Sequence, residues 1–223
     1  MLLDGRHRDI ARIALTAAGR KYGVAFAGGG ALQIHDVSNR YTQDVDLFVR
    51  NAGNVGKAAR VIADALGRAG YQVGITSADE GLWELEVHPP APVRAAAGGE
   101  AGEPVQVQVA YFAYTGTVTT EVGPVVTLDY LATRKAVAIM ERHQVRDYVD
   151  IASLVDAGYS IQQLLAMAFA EEPSLTAEDA GDAGVHLDRV SDARLARELP
   201  PGKAPGWVRA IFAGWPRHPV HAD

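Results

Sequence analysis

The alternation of apolar and polar positions divides the chain into a mixed part and a helical part. Residues 6–20 (RHRDIARIALTAAGR) set Ile10, Ile13, Ala14 and Ala17 at helical spacing with arginines opposite, and Gly23 ends that helix. Residues 24–27 form a short apolar run of strand type. They lead into Gly28, Gly29 and Gly30, after which residues 31–34 start a helix. Residues 44–49 (DVDLFV) alternate strictly and predict a strand. Residues 54–69 predict a helix with Val55, Ala58, Ala59, Ile62 and Leu66 on one face. Residues 71–76 and 82–87 predict strands, and residues 105–114 resume the sheet by alternating apolar residues with glutamine. Val125 and Val126 suggest a further short strand, and residues 89–104 (PPAPVRAAAGGEAGEP) form a low-complexity loop.

From Thr127 onward the period changes. Helices are expected over residues 128–142, 147–157 and 161–171, with Thr127 and Ser160 where N-caps stand. Residues 173–184 are acidic and contain glycine, which predicts a loop. Helical pieces follow around residues 187–198 and 206–213, separated by Pro200, Pro201 and Gly202. The expected class is α+β: a core with a mixed sheet over residues 1–126, then a helical C-terminal region over residues 127–223.

Composition narrows the function classes. The 223 residues are 48% hydrophobic and 22% charged, too apolar for a disordered chain and long enough for a core without staples. Cysteine is absent, which excludes a disulfide framework and a Cys-based zinc site and suits a reducing compartment, so a cytoplasmic location is expected. No apolar run approaches the ~18 residues of a membrane helix, and the N-terminus does not read as a secretory signal, so no membrane partner is expected. The net charge of −6 argues against a generic nucleic-acid coat. Yet the first 60 residues hold nine Lys/Arg against five Asp/Glu, and this locally basic region suits a polyanion.

The strand at residues 44–49 carries the sharpest chemistry. Val45, Leu47 and Val49 point into a core, while Asp44 and Asp46 stand side by side on the other face. Adjacent like charges on a sheet repel, and a bound cation removes that cost. Mg²⁺ takes one or two carboxylates together with phosphate oxygens and water. The alternative is an edge strand with a solvated polar face. Gly28, Gly29 and Gly30 lie between a strand and a helix, where backbone N–H groups approach a phosphate. They form neither a Walker A motif nor a dinucleotide fingerprint, and a plain tight turn has the same pattern. Lys135 lies between Leu131 and Ile139 on one helix face, so its ammonium either snorkels outward or meets a buried anion such as phosphate. Asp147 and Asp150 share a face at the start of the next helix, where acids suit the dipole; the functional alternative is a pocket carboxylate facing Lys135. Arg40 and Thr42, just ahead of the aspartates, are candidates to orient them or bind a nucleotide. The seven histidines form no strong site; His218 and His221 fall in a Pro-flanked tail.

These residues carry a resemblance. Phe26-Ala-Gly-Gly-Gly-Ala-Leu32 followed by Arg40-Tyr-Thr-Gln-Asp-Val-Asp-Leu47 resembles the nucleotidyltransferase-fold AbiEii/AbiGii toxin family, which includes MenT-type toxins. Lys135-Ala-Val-Ala-Ile-Met-Glu-Arg142 and Arg146-Asp-Tyr-Val-Asp-Ile151 resemble the family's lysine helix and its Arg-Asp-x-x-Asp element. The resemblance implies a DNA-polymerase-β-like nucleotidyltransferase core and the toxin of a toxin–antitoxin pair, with a separate antitoxin. It implies Mg²⁺ on Asp44 and Asp46, triphosphate at Gly28 and Gly29, and a site completed by Lys135 and Asp147. Some members transfer nucleotides to tRNA. Two departures stand out. The turn lacks the hydroxyl of a Gly-Ser version, and the strand that carries a third carboxylate in many such enzymes reads Val105-Gln-Val-Gln-Val109 here.

The expected function is therefore that of an Mg²⁺-dependent nucleotidyltransferase toxin. It moves a nucleotide from a nucleoside triphosphate to an RNA acceptor, with tRNA first in line. Transfer to a small molecule is the second enzymatic reading. The third is a degenerate fold that binds nucleotide or a partner protein without catalysis, which the Gln106/Gln108 strand keeps open.

Overall fold

In the computed structural model, which describes residues 4–90 and 103–217, the chain folds into two units. Residues up to Ile34, together with Thr42 to Thr127, form one; His35–Tyr41 and the residues from Leu128 onward form the other. The first unit contains α1 (Gly5–Tyr22), β1 (Val24–Phe26), α2 (Gly28–Ile34), β2 (Asp44–Val49), α3 (Val55–Arg68), β3 (Gln72–Ala78), β4 (Leu82–His88), β5 (Val105–Tyr111), β6 (Thr117–Thr120) and β7 (Gly123–Val126). Its strands join in the order β3-β4-β5-β2-β1-β7-β6. The β2–β5 and β1–β7 pairs are parallel and the others antiparallel, so the sheet is mixed, as expected.

Alternation decides which face of the sheet is apolar. Val45, Leu47 and Val49 of β2, Val105, Val107 and Val109 of β5, and Leu85 and Val87 of β4 are buried. The intervening residues, Asp44, Asp46, Gln106, Gln108, Glu84 and Glu86, share the opposite face and are half-buried. Helices α1 and α3 pack on each other and against the strands. The α3 face is the expected one, with Val55, Ala58, Ala59, Ile62 and Leu66 all buried. The α1 face is rotated from expectation. His7, Ile10, Ala11, Ala14, Leu15 and Ala18 are buried, and Ile13 and Ala17 are only half-buried. The apolar letters concealed this row because it begins with a histidine. Asp4 caps the helix N-terminus, and Gly23 terminates it in the left-handed conformation, φ +63°.

Other boundaries also moved. Helix α2 begins at Gly28 rather than Ala31, so the three glycines are its first turn. Strand β6 was not expected from its exposed Thr-rich sequence. Residues 91–102 of the predicted low-complexity loop lie outside the described residues, as do His218 and His221.

The second unit contains α4 (Leu128–Arg142), α5 (Val145–Asp156), α6 (Ile161–Glu171), α7 (Ala177–Arg189), α8 (Asp192–Ala196) and α9 (Pro205–Phe212). Ser160 caps α6 as expected, in a reciprocal box with Gln163. The acidic segment expected to be a loop is largely helix α7. Thr176 accepts from the Asp179 N–H while the Asp179 carboxylate accepts from the Thr176 N–H at 2.7 Å. Small residues, Ala180, Gly181, Ala183 and Gly184, then form most of the buried face, which ends in Leu187. Bulky aromatic groups meet that face. The Tyr148 hydroxyl donates to the Ala183 carbonyl at 2.7 Å, and Trp215 Nε1 donates to the Ala180 carbonyl at 2.8 Å. Phe212 lies between them, its ring centroid 5.3 Å from Tyr148 and 5.0 Å from Trp215. Acidity and glycine misled the reading because the helix faces aromatic rings that need small neighbours.

The cap is testable. Thr176→Ala removes one half of the box and should cost about 1 kcal/mol in denaturant unfolding. An unchanged midpoint would show that α7 is held by its aromatic contacts alone.

Candidate active site

In the first unit the aspartates and the glycines meet. The Ala27 N–H donates to the Asp46 carbonyl at 2.9 Å, fixing the β1–α2 corner against β2. Gly28 has φ +63°, and a Cβ there would overlap the Asp46 carboxylate. Only glycine satisfies both conditions. Gly29 and Gly30 are buried behind it. The first-turn N–H groups of α2 have no intrahelical carbonyl partner, so this end suits negative charge. Asp44 and Asp46 are half-buried on the polar face, and Thr42 is half-buried two residues ahead of Asp44. His7, buried on α1, donates through Nε2 to the Gln43 carbonyl at 3.0 Å and so anchors the residue before Asp44. The histidine reading missed it; its signal was its place on the Ile10–Ala14 row.

The register of the sheet extends the aspartate face. Asp44 pairs with Gln106 and Asp46 with Gln108 across β2–β5. Gln106 pairs in turn with Glu86, and Gln108 with Glu84, across β4–β5. The Gln108 amide nitrogen donates to Glu84 Oε1 at 3.3 Å, while Glu86 Oε1 lies 2.6 Å from His88 Nε2. Among the described residues no three His, Cys, Asp or Glu side chains gather as a metal-holding group. Asp44 and Asp46 supply two hard, charged oxygens on one face, which fits a Mg²⁺ ion whose remaining ligands are phosphate oxygens and water.

In the second unit Lys135, Asp147 and Arg40 belong to one buried ionic cluster. Leu131 and Ile139 flank Lys135 in the core, and Lys135 itself is only 8% exposed. It does not snorkel: Nζ lies 2.6 Å from Asp150 Oδ2 and 3.4 Å from Asp147 Oδ1. Arg142 grips Asp147 with two bonds of 2.9 Å. Arg40 grips Asp150 through Nε at 3.1 Å and Nη2 at 3.3 Å, and its Nη1 holds the Tyr41 carbonyl at 2.9 Å. Burial alone would raise the Asp150 carboxyl, but Lys135 and Arg40 outweigh it and hold that carboxyl below its ordinary range. Burial also opposes the charge on Arg40, and Asp150 reverses that effect, so the guanidinium stays charged. Three cations thus surround two wholly buried carboxylates; Glu198 reaches Arg40 only at 3.7 Å.

Arg142 and Asp150 were not among the expected site residues. Asp150 carried a signal, since it shares a face with Asp147. Arg142 carried none, because its partner lies five residues on, beyond the end of its helix.

Comparison with known proteins concerns the chain as a whole. Residues 11–210 match the model of the family described as nucleotidyl transferase AbiEii toxin, type IV toxin–antitoxin system. Among solved structures, JHP933 from Helicobacter pylori is 13% identical, with a TM-score of 0.63 over 95% of this chain and 90% of that one. The nucleotidyltransferase toxin MenT4 from Mycobacterium tuberculosis H37Rv is 14% identical, with a TM-score of 0.59 over 92% of this chain and 80% of that one. No curated protein sequence matches the chain.

Two substitutions probe the two clusters. Gly28→Ala should destabilise by at least about 1–2 kcal/mol from backbone strain alone. Its additional clash with the Asp46 carboxylate should be relieved in an Asp46→Ala background, leaving only the close approach to the Asp46 Cβ at 2.8 Å, so a double-mutant cycle in unfolding free energy should show coupling. Strict additivity would exclude the Gly28–Asp46 contact. Asp150→Asn leaves Arg40 and Lys135 buried without their shared carboxylate and should cost about 3–5 kcal/mol at neutral pH. Because the folded carboxyl is depressed, its contribution is complete above about pH 4. It is lost as pH falls through the lower folded value, so the gap between wild type and variant should close there. A gap that widens in acid would reverse the assigned sign.

Proposed function

The chain belongs to the AbiEii family of nucleotidyl transferase toxins of type IV toxin–antitoxin systems, and from that premise we propose that Asp44 and Asp46 form its Mg²⁺-dependent catalytic centre. On this reading the protein is a cytoplasmic toxin that attaches a nucleotide, taken from a nucleoside triphosphate, to an RNA acceptor, with tRNA the first candidate. The family implies a cognate antitoxin as partner.

The observation that carries the proposal is the packing of Asp46 against Gly28. Neighbouring carboxylates on one strand face repel each other, and the left-handed Gly28 beside them admits no side chain. The same arrangement suits a metal–triphosphate, because the helix start and the cation both favour phosphate oxygens. When bound, Mg²⁺ would neutralise charge and polarise the α-phosphoryl group. Asp44 and Asp46 hold the binding face, and Gly28, Gly29 and Gly30 bring backbone N–H groups toward the triphosphate. Thr42 and Arg40 precede the aspartate strand in the sequence and are the remaining nucleotide-binding candidates. Lys135 and Asp147, which the family resemblance adds to the site, are held in the buried cluster of the helical unit. The acceptor hydroxyl attacks the α-phosphorus as pyrophosphate departs.

The experiment is Asp46→Asn, assayed with labelled nucleoside triphosphates, Mg²⁺ and total RNA, and by thermal unfolding without metal. The change keeps side-chain volume and removes one charge. Transfer should fall by about 10²–10³, the scale of a lost electrostatic contact in a transition state. The melting temperature should hold or rise, because a carboxylate repulsion is relieved. Transfer retained by the variant would sink the assignment, and label moving to a small molecule rather than RNA would select the second enzymatic reading.

A further inference from the structure

We infer that the Gln108 side chain receives the acceptor's hydroxyl beside Asp46, and that Glu84 sets the direction in which the Gln108 amide points. The inference rests on the reading of Asp46 as the catalytic carboxylate. It concerns the side of the reaction that the family motifs leave without a residue in this chain.

The sheet order supplies the geometry. Strand β2 lies between β1 and β5. Toward β1, the Asp46 carboxylate meets Gly28 in the first turn of α2. Toward β5, the in-register neighbour of Asp46 is Gln108. Displacement at phosphorus places the attacking and leaving oxygens in line on opposite sides. With the triphosphate at the glycine turn, pyrophosphate leaves toward β1 and the hydroxyl arrives from the β5 side. The side chain waiting there is an amide.

An amide has a donor end and an acceptor end, whereas an ionised carboxylate only accepts. The Gln108 nitrogen donates to Glu84 at 3.3 Å, so Glu84 holds the NH₂ end toward β4 and turns the carbonyl oxygen away from it. That oxygen can accept from the O–H of the acceptor. The parallel row has no such arrangement, because Glu86 is engaged by His88 at 2.6 Å. Charge explains the amide. A carboxylate at position 108 would stand between Asp46 and Glu84 and make three negative groups in one row, each repelling the next.

In the step itself the acceptor oxygen forms its bond to the α-phosphorus. The bond from that phosphorus to the bridging oxygen breaks, and pyrophosphate leaves with the electron pair. The hydroxyl proton passes to solvent water. Gln108 orients the oxygen and takes no proton; its contribution is positioning of the attacking group. Glu84 is a positioning residue that acts through Gln108.

The test compares Gln108→Leu, Gln108→Glu and Glu84→Gln with Asp46→Asn. Steady-state transfer to total RNA is measured alongside equilibrium binding of the labelled nucleoside triphosphates. Gln108→Leu should lower kcat/KM for RNA by about tenfold or more, the effect of one lost hydrogen bond, with nucleotide binding unchanged. Gln108→Glu keeps an acceptor oxygen and should retain most of the transfer despite a lower melting temperature. Glu84→Gln frees the amide to flip and should fall between them. A packing role predicts the opposite order, with leucine tolerated and glutamate worst. If Gln108→Leu transfers like wild type while Asp46→Asn is inactive, this inference alone falls. If Asp46→Asn transfers normally, or wild type does not label RNA, the reading beneath it falls too.

Discussion

Asp150 is wholly buried, and a buried carboxylate is tolerable only with cations set against it. Lys135 approaches it at 2.6 Å and Arg40 grips it with two nitrogens. Lys135 comes from α4 and Asp150 from α5, but Arg40 comes from the short excursion His35–Tyr41, almost a hundred residues earlier in the chain. Its guanidinium explains why that excursion belongs to the helical unit although the sheet unit flanks it on both sides. Without the pair, seven residues of loop would have little reason to leave the unit around them. The same guanidinium also holds the Tyr41 carbonyl at 2.9 Å.

The two clusters treat carboxylates in opposite ways. In the helical unit, Asp147 and Asp150 are enclosed and matched by Arg142, Lys135 and Arg40, which locks their geometry. On the sheet, Asp44 and Asp46 stay half-buried, with amides rather than cations in register beside them. The first arrangement is enclosed in the core of its unit; the second sets two neighbouring carboxylates beside a glycine turn, and departures from local rules of this kind concentrate at functional positions.

Much of this was legible in the sequence, because the informative signal was period rather than identity. The β2 alternation and the α3 face needed no tertiary knowledge, and both are as expected. Two solved structures at 13–14% identity share the fold. The failures are equally physical. Helix α7 was hidden because its buried face is alanine and glycine, whose meaning depends on Tyr148 and Trp215 elsewhere in the chain. The α1 face was misjudged because its row starts with His7, a polar letter on a buried stripe. The Arg142–Asp147 and Arg40–Asp150 pairs span helix ends or long stretches of chain, where no local rule applies.

Charge read along the chain also differs from charge presented on the surface. The first 60 residues carry an excess of cations, which suggested a basic face for a polyanion. In the fold, Arg8 pairs with Glu121 at 2.9 Å, Arg12 with Asp9 at 3.2 Å, and Arg6 donates to the Glu103 carbonyl at 2.8 Å. Glu121 comes from the acidic remainder of the sequence, so folding itself cancels part of the asymmetry. Exposed pairs of this kind are weak, on the order of 0–1 kcal/mol, and a phosphate backbone can displace them. The α1 arginines are therefore a reserve of positive charge rather than a standing field. Acceptor binding through them would exchange one set of weak ion pairs for another and would be steeply sensitive to salt. On the proposed function, specificity would rest with the aspartate face, where the groups are half-buried and fixed in register.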